Sequence, residues 1–126
     1  MSMFDLNRLR RSMSYAWKGI RIVFREEHSF RVQTAVAAIV LVAMFVMDLR
    51  TPEKALLTLA VVFVLVLELM NSIFERMVDM MKPRIHHYVE DIKDIMAGSV
   101  LVASLGALLI GVSIFWPYVA NLIYGR

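Results

Sequence analysis

The chain has 126 residues, 60% of them hydrophobic, with a mean hydropathy of +0.66 and a formal net charge of +3. So apolar a composition excludes an ordinary soluble domain of this length and indicates a small integral membrane protein. There is room for three spans of about 20 residues, each crossing a hydrocarbon core about 30 Å thick, and none for a soluble catalytic domain.

The expected architecture is an all-α membrane protein forming one domain over residues 1–126, with three transmembrane helices preceded by an N-terminal amphipathic surface helix. The surface helix is expected over about 4–25 and the spans over about 30–48, 53–75 and 94–118. Cysteine is absent, so neither a disulfide framework nor thiolate chemistry is available. The N-terminus lacks the short apolar core and small-residue cleavage site of a signal peptide, and no processing is expected.

In the surface helix, Leu6, Leu9, Met13, Ala16, Trp17, Ile20, Val23 and Phe24 fall on one face, and Arg8, Arg10, Arg11, Lys18, Arg21 and Arg25 supply cations on and beside the other. Such a helix suits the lipid headgroup region. Its cations either anchor it to anionic lipid or hold a phosphorylated ligand. Glu26, Glu27 and His28 then make a charged junction before the first span. Carboxylates there are ordinarily a solvated turn, unless a further acid meets them at the same depth and Mg²⁺ can be held with phosphate oxygens and water.

After the first span, Asp48 to Lys54 read as a tight turn. Thr51 is expected to cap the second span, with Pro52 at its first helical position. That span carries the most informative stretch of the chain, Glu68-Leu-Met-Asn71-Ser72-Ile-Phe-Glu75-Arg-Met-Val-Asp79. At about 3.6 residues per turn, Glu68, Asn71, Ser72, Glu75 and Asp79 share one face. A carboxylate two turns deep in an apolar segment costs at least about 2.5 kcal/mol on insertion scales, so the stripe turns toward protein or a wet cavity.

Residues 76–94 read as a mostly charged link containing Pro83, His86 and His87. The adjacent histidines are poorly spaced for zinc and are by default solvated. In the third span Ser99, Ala103, Ala107 and Gly111 recur every four residues, a seam that suits close helix packing. Trp116, Tyr118 and Tyr124 form an expected interfacial belt, with Pro117 helping to end the span.

Seven Lys or Arg residues precede the first span and four lie in the second link, against two in the first turn and one at the C-terminus. The positive-inside bias places the N-terminus and second link in the cytoplasm. Glu27, Glu75, Lys93 and Asp94 then meet at one interface, with Glu68 about 10 Å deeper. Interfacial carboxylates holding a metal, a lysine on phosphate and a buried carboxylate accepting a proton from a lipid hydroxyl would serve phosphoryl transfer. The same stripe could serve a proton or ion pathway, or simply cement helices in a non-enzymatic scaffold.

The stretch Glu68 to Asp79 resembles the signature of the prokaryotic diacylglycerol kinase family, which also contains the undecaprenol kinases. The resemblance includes Tyr15-Ala-Trp17-Lys-Gly19, Glu27 with Phe30-Arg31, and Pro83-Arg-Ile-His86 leading without gaps into Lys93-Asp94. It implies ATP- and Mg²⁺-dependent phosphorylation of a membrane lipid hydroxyl, converting diacylglycerol to phosphatidic acid, with undecaprenol as the alternative acceptor. It also implies a homotrimer with active sites shared between neighbours, in the bacterial cytoplasmic (inner) membrane, multi-pass, with the N-terminus and active site on the cytoplasmic side. Partners would be lipid, ATP and further copies of the chain, and no nucleic acid.

By this resemblance Glu68 is the general base and Asn71 supports catalysis. Glu27 and Glu75 hold Mg²⁺, and with Arg8, Tyr15, His86, Lys93 and Asp94 they surround ATP. Arg8, Trp17, Glu68 and Ala97 border the lipid. No Walker-type loop is present, and the family needs none. Ile73 and Phe74 are bulkier than the family's usual residues, and Val89-Glu90 replaces a more usual Ala-Lys pair, which puts any second lysine in doubt.

Overall fold

A computed structural model describes residues 5–81 and 86–125, with the side chain of His86 outside that description. Its elements are four helices: α1 (Leu6–Glu26), α2 (His28–Val46), α3 (Thr51–Met81) and α4 (His86–Tyr124). The last three are long and apolar enough to cross a membrane. Their outer surfaces are apolar and uncovered, as at Ile39, Phe45, Leu59, Phe63 and Val102.

Asp5 starts α1 by accepting the Asn7 N–H at 3.0 Å, which satisfies one of the first-turn donors. The helix stops at Glu27, whose backbone is extended (φ −105°, ψ 111°), and α2 begins one residue later. Arg31 braces this corner by donating to the carbonyls of Phe24 and Arg25 at 3.1 and 2.7 Å, groups that the end of α1 would otherwise leave without partners. The rings of Phe24 and Phe30 pack edge to face at 6.5 Å across it. Only the end of α1 is buried, at Val23.

At the opposite end, α2 turns into α3 through Asp48, which adopts φ +50°, a left-handed conformation that Asp tolerates better than most residues. Leu49 then folds inward to join Met44 and Leu57, with Ile114, Phe115 and Tyr118 of α4 packed on them.

Three expectations need correction, and a fourth is not met within a single chain. The capping residue of α3 is not Thr51: the Lys54 N–H already bonds the Arg50 carbonyl at 3.0 Å, so the helix starts one residue earlier. Pro52 still costs nothing there, since first-turn N–H groups lack helical partners. The charged link over 76–94 is largely helix, because α3 continues to Met81 and α4 resumes at His86. Charged residues end a membrane span without ending a helix, and α3 at 31 residues outruns the bilayer. Pro117 does not terminate α4, which continues to Tyr124. One lost hydrogen bond is tolerated where Phe115 and Tyr118 anchor both sides of it. Finally, the small-residue seam is not closed within the chain. A Cβ at Gly111 would meet nothing within 4 Å, and Ala107 and Gly111 border a cavity of about 500 Å³ between α2, α3 and α4.

Candidate active site

The polar stripe of α3 faces the α1–α2 corner. Glu68 is 6% exposed and Ser72 is 2% exposed, whereas Ile73 beside them is 55% exposed. Lipid-facing and protein-facing sides of α3 are thus separated as the helical period requires.

Two hydrogen bonds join the stripe to the corner. Ser29 Oγ donates to Glu68 Oε2 at 3.2 Å, and Ser72 Oγ donates to Glu27 Oε1 at 3.3 Å. Four residues of helix rise about 6 Å, roughly what two residues of chain cover where a helix is interrupted, so positions 27 and 29 meet 72 and 68 in antiparallel register. The break at Glu27 is what gives this match. Glu75 lies two helical turns from Glu68 on the same side of α3.

Asn71 lies between these groups on α3, and its Oδ1 is buried with no hydrogen-bond partner among the described residues. A buried acceptor left so costs about 1–3 kcal/mol, which a purely structural residue has no reason to bear. Toward the water, Lys93 of α4 donates to Asp79 Oδ1 at 2.7 Å, one turn beyond Glu75. Asp79 is therefore an ion-pair partner, and it holds the Lys93 ammonium about 6 Å along the helix axis from Glu75. Asp94 and Ala97 follow on α4, both exposed.

Other expected site residues are not gathered in one chain. Arg8, Tyr15 and Trp17 sit on α1, with Tyr15 71% and Trp17 61% exposed, and Arg8 makes a loose pair with Asp5 at 3.6 Å. At 1.5 Å per residue they lie about 28, 18 and 15 Å along the helix from Glu27. The side chain of His86 lies outside the described residues.

Among the described residues no three acidic or histidine side chains form a metal-holding group. Mg²⁺ bound to phosphate takes one or two carboxylates beside phosphate oxygens and water, and Glu27 and Glu75 would be those two. Sequence reasoning assigned no role to Ser29 and named Ser72 only as part of the stripe. Nothing in a helical period signals a contact 39 residues away.

The sequence profile of prokaryotic diacylglycerol kinase matches residues 14–115. The chain is 32% identical over 112 residues to a diacylglycerol kinase of Synechocystis sp., covering 88% of this chain and 64% of that protein. It therefore spans less than two thirds of that relative's length. It is 33% identical over 113 residues to an undecaprenol kinase of Bacillus subtilis, covering 90% and 92% of the two chains. Over 111 residues it is 26% identical to a diacylglycerol kinase of Escherichia coli, covering 88% and 91%.

Proposed function

This chain belongs to the prokaryotic diacylglycerol kinase family of lipid kinases, and we propose that it transfers the terminal phosphate of ATP to the hydroxyl of a membrane lipid. The observation that carries this reading is Glu68, a carboxylate 6% exposed within an apolar helix and held by a neutral hydroxyl. Among the described residues no cation pairs with it, so its basicity is available to a substrate rather than absorbed by a structural partner.

In this reading Glu68 accepts the proton of the lipid hydroxyl as that oxygen attacks the terminal phosphorus, whose bond to the bridging oxygen breaks to release ADP. Asn71, with its unpartnered Oδ1, receives a donor from substrate or from water that substrate orders. Glu27 and Glu75 hold Mg²⁺, which when bound supplies charge neutralisation for the phosphates. Lys93 exchanges Asp79 for phosphate oxygens, and Asp94 and His86 flank the nucleotide. Ala97 borders the lipid.

The uncovered apolar residues of α1, including Leu9, Met13 and Trp17, support its lying on the membrane surface. The excess of cations beside α1 and in the second link favours a cytoplasmic N-terminus and active site in the bacterial inner membrane. Arg8, Tyr15 and Trp17 lie too far along α1 to reach their own carboxylates, which favours sites shared between subunits of a homotrimer.

Diacylglycerol is the proposed acceptor. The second reading, undecaprenol, is favoured by the 33% identity to the Bacillus undecaprenol kinase. Purified protein in mixed micelles, given each lipid in competition with labelled ATP, is expected to label diacylglycerol in a Mg²⁺-dependent manner. Preferential labelling of undecaprenol would reassign the acceptor, and no labelling of either lipid would overturn the kinase reading.

A further inference from the structure

Ser29 occupies the first turn of α2, where a serine hydroxyl ordinarily turns back to nearby backbone or to solvent. Here it reaches across to α3 and donates to Glu68 Oε2 at 3.2 Å. Neither the resemblance nor the stripe assigns it a part in the reaction. We propose that Ser29 is a positioning residue that orients the Glu68 carboxylate toward the lipid hydroxyl, an inference that rests on the kinase reading above.

A glutamate side chain has three rotatable bonds, and its carboxylate can rotate about the last of them. At Glu68 no salt bridge among the described residues limits that freedom. The Ser29 hydroxyl engages Oε2 and so fixes the rotation of the carboxylate about its last bond. Because Ser72 fastens Glu27 to the same seam at 3.3 Å, the oxygen that receives the proton and the carboxylate assigned to Mg²⁺ are set by one corner of the chain. The Gln33 side chain, one turn along α2, also lies within reach of Glu68, although its Nε2 donates to Ser104 Oγ at 3.3 Å. Gln33 therefore limits the loss when Ser29 is removed.

The test uses full-length protein in mixed micelles. Ser29→Ala is expected to lower kcat about tenfold, as removal of a neutral donor from a charged group does. The KM for ATP and the Mg²⁺ requirement should stay unchanged. Ser29→Thr, which restores a hydroxyl, should recover most of the loss. In a Glu68→Asp background, where the carboxylate is drawn back by about one carbon–carbon bond and out of reach of Ser29, Ser29→Ala should have no further effect. Unchanged kcat in Ser29→Ala, a loss confined to the KM for ATP, no recovery with threonine, or an undiminished tenfold effect in the Glu68→Asp background would each overturn the proposal. A wild-type protein unable to phosphorylate any lipid fails earlier and differently, since it removes the kinase reading itself.

Discussion

Two glutamates of helix α3, Glu53 in its first turn and Glu68 near its middle, are treated in contrasting ways. Glu53, near the turn from α2, has the Arg50 guanidinium on Oε1 and receives the Tyr118 hydroxyl on the same oxygen at 3.1 Å. Its side chain is only 14% exposed, but its charge is matched and it ties α4 to the turn beside Leu49 and Leu57. Glu68 is more deeply buried, and it has a serine hydroxyl where Glu53 has a cation. A paired carboxylate is a fastener, whereas one held by a neutral donor keeps its affinity for a proton. The partner, as well as the depth of burial, distinguishes the two.

Neutralising each acid in turn is the strongest way to break this contrast. Glu68→Gln should reduce turnover about a hundred- to ten-thousandfold, the range for loss of a general base. Glu53→Gln should leave turnover within about twofold while lowering the thermal midpoint in micelles. Equal damage to kcat from both would dissolve the distinction. Next in size, Glu75→Gln and Glu27→Gln are each expected to shift the Mg²⁺ activation curve to higher concentration by about tenfold or more. A curve that stays in place for both would remove them as metal ligands.

Tyr118→Phe deletes one bond at the fastened end. It should cost about 1 kcal/mol in unfolding with no change in kcat. Smallest of all, Arg76→Ala removes a solvent-exposed pair with Glu26 and should alter stability by less than about 1 kcal/mol, measured in the same unfolding assay. The Glu53 carboxylate raises the Arg50 pKa above an already high value. That contribution would be lost only as pH rose through the raised value, so Arg50 stays charged under any assay condition and adds no pH dependence to turnover.

Much of the contrast was legible in the residues. The spacing of Glu68, Asn71, Ser72 and Glu75 already placed them on one face, because a long apolar helix makes polar periodicity unambiguous. The apolar lengths likewise marked three spans. Boundaries are harder to read: Arg76, Asp79 and Lys93 mark the edge of the apolar region, but they do not interrupt hydrogen bonding, so α3 continues past the first two and α4 begins before the third. Pro117 was over-read for the converse reason, since packing on both sides holds the helix together. The seam of Ser99, Ala103, Ala107 and Gly111 implied contact, yet spacing cannot say which helix, or which copy of it, would supply the other side. Ser29 and Tyr118 gave no local sign of their partners, 39 and 65 residues away.

The single extended residue between α1 and α2 has a mechanical meaning. Glu27 is where the 21-residue α1 gives way to α2, and its carboxylate accepts a hydrogen bond from Ser72 of α3. Because Arg31 and the Phe24–Phe30 contact brace the same corner, the direction in which α1 leaves the bundle is set at the residue that also meets the polar stripe.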